Sequence, residues 1–380
     1  MNRSSPTDVS VDSAFEGSNN AADLVDEALQ KETAGEGIDR VMACGLVEAV
    51  LTGRLEPDRF GIWLERSTVA SPAAALIAGV ADALRLHMSP LPFLGRGFWA
   101  SAHAVVGDTC GTGGDHSGSF NISTAAAIVV AAAGLPVAKH GNRAVSSRTG
   151  SADVLEALGV RIDISPEATA ECLGEIGLCF CYAPLYHPAL ATLGPLRRRL
   201  GKPTVFNLVG PLCNPAGASV QVIGVGRPDA QDSLAEAAML LGLSRALIVA
   251  CEDGVDEIGL FAPTRVVDVS ATGLRRVVWS PEDFGIATAL ESQRDQLSAA
   301  NPTESAALIR RVLAGERGPC RDIVVLNAAA LLWAAEKAAT LPAAAARAAA
   351  AIDSGLAQKS LECLVAATHA SIRPPTPSPG

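Results

Sequence analysis

Lys139, His140, Asn142 and Arg143 belong to a Lys-His-Gly-Asn-Arg run in which a cation and an imidazole can hold phosphate oxygens. Upstream, Gly111, Gly113 and Gly114 strip three side chains from a five-residue turn. Backbone N–H groups can therefore approach an anion there, and positive φ carries no steric penalty. Downstream, Ser146, Ser147, Thr149 and Ser151 surround Gly150 just before a helical pattern, which makes a second anion-cradling turn. Two such turns imply a ligand with two phosphate groups. Residues 252–257 read Glu-Asp-Gly-Val-Asp-Glu, four carboxylates in six residues. A polyphosphate needs Mg²⁺, a hard cation held by one or two carboxylates plus the ligand's own oxygens, and Asp256 and Glu257 suit that task. Arg197 opens a run of three arginines near Tyr182, Tyr186 and His187 and is the candidate for a substrate carboxylate. The other two arginines read as a solvated face.

Elements must place these groups. The apolar run 125–133 reads as a buried helix, opening just after Asn121, Ile122, Ser123 and Thr124, whose polar side chains are natural N-caps. The positive end of its dipole would then face the glycine turn. Lys139 ends a strand over 136–139, the end at which open α/β sheets place ligands. Further strands are expected over 104–108, 220–224, 246–250, 266–269 and 275–279, and Cys179 and Cys181 would share one face of another. Helices are expected over 152–158, 166–176 and 230–241, and through an alanine-rich stretch from 304 to 365. Strands alternating with helices argue an α/β domain with a mostly parallel central sheet over 101–365. Ahead of it, 22–100 shows helical spacing only and reads as a small helical domain, to which a helical segment at 185–200 returns. Residues 206–215, with two Pro-anchored turns, would shape a pocket wall. Residues 1–21 and 366–380 are polar or Pro-rich and are read as disordered.

Composition narrows the function classes. A chain of 380 residues, 49% hydrophobic but only 4% aromatic, buries a large core of Ala, Val and Leu. The net charge of −10 and the lack of a basic stripe argue against nucleic acid and against an anionic membrane, so any anion must be captured locally. The longest apolar run is broken at Gly134-Leu135-Pro136, too short to span a bilayer. Nine scattered cysteines without Cys-x-x-Cys spacing fit reduced thiols in a cytoplasmic protein.

Taken together, GTGGD (111–115), NIST (121–124), KHGNR (139–143), SADVLEALG (151–159), FNLVGPLCNP (206–215) and GVDE (254–257) resemble, in order and spacing, the motifs of anthranilate phosphoribosyltransferases of tryptophan biosynthesis. The resemblance covers roughly residues 22–365 and implies a fold of the nucleoside phosphorylase and phosphoribosyltransferase kind, assembled as a homodimer through the helical domains. It implies transfer of the ribose 5-phosphate of phosphoribosyl pyrophosphate to the amino group of anthranilate, releasing pyrophosphate. Carried over by motif, Gly111, Gly114, Asp115, Ser119, Asn121, Ser123, Thr124, Lys139, Ser147 and Ser151 would contact phosphoribosyl pyrophosphate. Ser123, Asp256 and Glu257 would hold magnesium, and Gly111, His140, Asn142 and Arg197 would meet anthranilate. The arylamine is neutral at pH 7, so no residue is required as a general base. Ala250-Cys251 stands where the family often has His-Gly, which leaves open a transferase acting on another aromatic amine. A non-catalytic homologue turned to nucleic acid is a further alternative.

Overall fold

The computed structural model describes residues 21–67, 72–95, 105–115, 117–144 and 149–370. Residues 1–20 and 371–380, read from sequence as disordered, lie outside the described residues. Four helices come first: α1 (Ala21–Ala34), α2 (Arg40–Leu51), α3 (Pro57–Arg66) and α4 (Ala74–Leu86). Asp39 caps α2 by accepting from the Met42 N–H at 2.8 Å, and Pro57 opens α3 where its missing N–H is harmless.

The α/β part then runs β1 (Gly107–Gly111), α5 (Ile122–Ala132), β2 (Val137–Gly141), α6 (Ser151–Ala157), α7 (Pro166–Ile176) and β3 (Leu178–Tyr182). Three short helices follow, α8 (Ala183–Tyr186), α9 (Gly194–Leu200) and α10 (Phe206–Val209), then β4 (Val220–Gly224), α11 (Gln231–Leu240) and β5 (Arg245–Cys251). Strands β6 (Thr264–Ser270) and β7 (Gly273–Trp279) precede α12 (Pro302–Leu313), α13 (Pro319–Ala334), α14 (Leu341–Asp353) and α15 (Leu356–Ala370). The last helix continues to Ala370, so residues 366–370 are helical and not part of a tail. Its inward face keeps packing to the last turn, with Leu361, Leu364 and Thr368 buried.

One seven-stranded sheet has the order β3-β2-β1-β4-β5-β6-β7. The pairs from β3 to β5 are parallel, and β6 and β7 add an antiparallel hairpin. Along the central strands alternate residues enter different cores. Val222, Leu247 and Val249 pack with α5, α13 and the C-terminal helices, whereas Ile223, Ala246 and Ile248 pack with α11. The second core is continuous with α1–α4 and takes in Leu193, Leu196 and Phe206, and the Phe60 ring lies 5.2 Å from Trp63 and 6.3 Å from Phe206. The 185–200 segment and the segment after it are thereby fastened to the N-terminal helices, beside the carboxyl ends of the strands.

Candidate active site

A cavity of about 630 Å³ lies where β1 and β2 end, next to the point at which the strand order reverses between β1 and β4. Of the residues singled out from sequence, it gathers Gly111, Gly114, Asp115, Ser119, Asn121, Ser123, Lys139, His140, Asn142, Ser151, Arg197, Asp256 and Glu257. Ser147 lies outside the described residues. Thr124 does not line the cavity. Helix α5 starts at Ile122, three residues earlier than its apolar run suggests, and Thr124 is turned into the core with its hydroxyl unpartnered. Nor does Asn121 cap α5 with its side chain; it exchanges two hydrogen bonds with Ser305, at 2.9 and 3.0 Å.

The glycine turn and the acidic turn are built onto each other. Gly113 and Gly114 adopt φ of 68° and 82°, the left-handed region that favours glycine. The Gly113 N–H donates to Asp256 Oδ2 at 3.1 Å, and the Ser123 N–H donates to Glu257 Oε1 at 3.2 Å. Gly224, the last residue of β4, permits this contact, because a Cβ there would fall 1.5 Å from the Asp256 carbonyl oxygen. Gly224 and Gly226 were not singled out from sequence, although a Gly-Val-Gly run closing a strand is a readable signal.

Lys139 is only 4% exposed. Its ammonium donates to the Thr109 carbonyl at 2.6 Å and to Ser123 Oγ at 3.2 Å, which holds one fixed positive charge under the cavity floor. Facing it are carboxylates that suffer for want of counter-charge. Burial, then the charge of Asp115, pushes the Asp256 carboxyl up from 3.8 to about 7. Burial, then Asp256, pushes Glu257 well above the usual carboxylate range. Both keep part of their surface open, and that opening is the cavity. Among the described residues no three His, Cys, Asp or Glu side chains form a complete metal cage. Two adjacent carboxylates with a serine hydroxyl are hard oxygen donors that suit magnesium when a ligand supplies the remaining oxygens.

The second cradle meets the first at Asn121, whose amide reaches the Thr149 carbonyl at 3.5 Å. Asp153 pins its neck, since Oδ2 accepts from the Ala144 N–H at 2.9 Å and the Gly150 N–H at 3.2 Å. Ser151 opens α6 there, and its hydroxyl donates to the Asn142 carbonyl at 3.4 Å.

The far end of the cavity is different in character. Arg197, on α9, is half-buried over the Phe206 ring at 5.7 Å and makes no ion pair among the described residues. Arg198 and Arg199 are exposed, and Arg199 pairs with Asp58. The His140 ring lies 5.1 Å from that of His187, tilted by 45°, and His187 Nε2 faces the Cys213 carbonyl at 3.1 Å. Burial, then the charge of His187, holds His140 down at about 3, so its imidazole is neutral, and its Nε2 has no protein partner. A cavity end with a guanidinium that has no ion pair among the described residues and a neutral imidazole suits an aromatic carboxylate. Cys251 is not in its wall; the thiol is buried against the carbonyls of Ala262 and Pro263 at 3.5 and 3.4 Å.

Comparison with known proteins adds the lineage. A family model described as the glycosyl transferase family a/b domain matches residues 103–358. An anthranilate phosphoribosyltransferase of Thermomicrobium roseum is 44% identical over 358 residues, spanning 93% of this chain and 100% of that one. The crystal structure of the Thermus thermophilus enzyme of that name superposes with a TM-score of 0.81 at 40% identity, covering 90% of this chain and 99% of the other. The Saccharomyces cerevisiae enzyme, solved in complex with PRPP and Mg, shares the fold at a TM-score of 0.79 and 23% identity over 92% of this chain and 98% of its own. A glycine turn stacked on an acidic turn, a buried lysine and an arginine-lined aromatic pocket thus stand on a backbone shared with close relatives, and the chain belongs to the anthranilate phosphoribosyltransferase family.

Proposed function

We propose that the cavity transfers the 5-phosphoribosyl group of phosphoribosyl pyrophosphate to the amino group of anthranilate, giving N-(5-phosphoribosyl)anthranilate and pyrophosphate in tryptophan biosynthesis. One observation supports this reading: a single cavity is lined at one end by two glycine-centred turns and paired carboxylates and at the other by Arg197, which makes no ion pair among the described residues. Gly111, Gly114, Asp115, Ser119, Asn121, Ser123, Lys139 and Ser151 bind the donor, and the turn at Gly113 and Gly114, with positive φ and no side chains, lets the backbone come close to it while the Gly113 N–H holds Asp256. Asp256, Glu257 and Ser123 Oγ would hold magnesium, which supplies charge neutralisation for the departing diphosphate. Lys139, fixed between Thr109 and Ser123, offers a preorganised positive charge to the same group.

At the acceptor end Arg197 orients the anthranilate carboxylate, with Asn142 and the neutral His140 beside the ring. The arylamine already carries a lone pair at pH 7, so the chain's work is positioning and exclusion of water, and no side chain has to take a proton before attack. Helices α1–α4 with α8–α10 form a helical unit that joins two copies in a homodimer, and the protein works in the cytoplasm, in keeping with nine unbonded cysteines.

The test mixes protein, Mg²⁺, phosphoribosyl pyrophosphate and anthranilate and follows anthranilate fluorescence. Loss of signal that needs every component is the expected result; a steady signal overturns the assignment. A panel of substituted anthranilates in the same assay tests the substituted-amine alternative, to which Cys251, outside the cavity lining, adds no contact.

A further inference from the structure

Strands β1 and β2 pair only at Gly107↔Val137, whereas β1–β4 and β2–β3 each keep five registered pairs. The β1–β2 seam therefore opens toward the cavity, and a buried backbone group on either lip needs a partner. Side chains supply all three that the geometry shows. Lys139 Nζ donates to the Thr109 carbonyl at 2.6 Å, Asn214 Nδ2 donates to the Ala138 carbonyl at 2.8 Å, and Asp108 Oδ1 accepts the His140 N–H at 3.3 Å.

Asp108 links this seam to the pocket wall. It is fully buried, with no ion pair among the described residues. Its Oδ2 accepts from Asn214 Nδ2 at 2.8 Å and from Gln221 Nε2 at 3.5 Å. Gln221 in turn donates to the Pro211 carbonyl at 2.8 Å, and Asn214 Oδ1 accepts the Ala216 N–H at 2.9 Å. One carboxylate thus ties the backbone of His140 to the 211–216 segment that closes the acceptor end. Apolar packing alone would not hold an opened seam of polar backbone in one register.

We propose that Asp108 is a positioning residue for the acceptor. Through Asn214 and the His140 backbone it holds His140 and the Gly210–Cys213 turn at the spacing that admits a flat aromatic acid. It touches neither substrate. This rests on the phosphoribosyl-transfer reading, and wild-type turnover in the same assay tests that reading separately.

The experiment measures kcat and both KM values for the wild type, Asp108→Asn and the double variant Asp108→Asn/Asn214→Asp, with thermal melts of each. Asparagine keeps an acceptor for the His140 N–H but sets an NH₂ against the Asn214 NH₂. Asn214 cannot turn its amide over without giving up Ala138 and Ala216. Loss of one charged, buried hydrogen bond is expected to raise the anthranilate KM about tenfold while the donor KM moves less than about twofold. The double variant restores a donor facing an acceptor between 108 and 214 but deprives the Ala138 carbonyl of its donor, so it is expected to bring the anthranilate KM only part of the way back. An unchanged anthranilate KM, or equal rises for both substrates, overturns the proposal. If Asp108→Asn does not fold, Asn214→Ala frees the wall with the carboxylate left in place. The same one-sided change in KM supports the proposal, and a change shared by both substrates overturns it. A wild type inactive with anthranilate would instead refute the reaction itself.

Discussion

Replacing Asp256 by asparagine removes a charge and little else, since the amide oxygen can still accept the Gly113 N–H. In the ligand-free protein that charge is a liability. Its carboxyl, which ordinarily ionises near 3.8, is held up to about 7 by burial and then by Asp115. Below 3.8 the folded and unfolded chains both carry the proton and no penalty exists. As pH rises from 3.8 through about 7 the unfolded chain ionises first and stability is lost, and above about 7 the loss is constant. At about 1.36 kcal/mol per decade the full penalty has an upper limit of about 4 kcal/mol. The carboxylate opens onto a wet cavity, so screening roughly halves this, leaving about 2 kcal/mol. Asp256→Asn should therefore raise the melting temperature by about 4 °C at pH 8 in EDTA, with the gain fading toward pH 4. Magnesium with phosphoribosyl pyrophosphate should stabilise the wild type further and the variant much less, and turnover of the variant should collapse. Differential scanning fluorimetry at several pH values reads all of this. A variant no more stable than the wild type at pH 8, or a gain independent of pH, would refute the electrostatic account of the acidic turn.

Three further outcomes follow from the same geometry. Arg197→Ala should raise the anthranilate KM about 30-fold by leaving the carboxylate unpaired, with the donor KM unmoved and Arg197→Lys recovering only part of the loss; an unchanged anthranilate dependence removes Arg197 from the pocket. Gly224→Ala drives a Cβ to 1.5 Å from the Asp256 carbonyl oxygen, so it should cost about 1–3 kcal/mol of stability and weaken magnesium-dependent donor binding; a melt and a magnesium titration identical to wild type would contradict the stacked turns. His140, held at about 3 by burial and then by His187, stays neutral between about pH 5 and 8, so the anthranilate KM should show no step near pH 6.5 that disappears in His140→Gln. The same depression means that the unfolded chain takes up this proton first, and stability falls as pH drops through 6.5.

What could be read from sequence was whatever the chain keeps contiguous. The glycine turn, KHGNR and the acidic turn each hold their chemistry within a few residues, so spacing alone announced them. Thr124 misled because hydroxyls before an apolar run look like caps; once α5 begins at Ile122 the helical period turns that side chain inward. The alanine-rich C-terminal stretch concealed its boundaries for a related reason. Alanine is compatible with helix everywhere, and the breaks fall to sparse signals such as Pro302, Pro319 and Gly355. Asp108, Asn214 and Gln221 gave no local sign at all. Asp108 lies 106 residues from Asn214 and 113 from Gln221, and their meeting depends on which strands pair and where the pairing stops.

Electrostatics gives a reason for the site to be assembled from distant segments. A glycine turn and an acidic turn coexist easily once a cation neutralises the carboxylates, but without one the charges of Asp256, Glu257 and Asp115 act on one another beside the buried Lys139. Had both turns lain in one continuous loop, that loop could relieve the repulsion by moving apart. Here the Gly113 N–H and the Ser123 N–H tie the acidic turn to two different elements, and Gly224 lets it sit directly on β4. These ties oppose relaxation by motion, and the repulsion is answered in part by raised carboxyl pKa values, which a divalent cation arriving with a diphosphate would relieve. The cost is borne by the ligand-free fold so that the charged groups need no reorganisation when the diphosphate leaves.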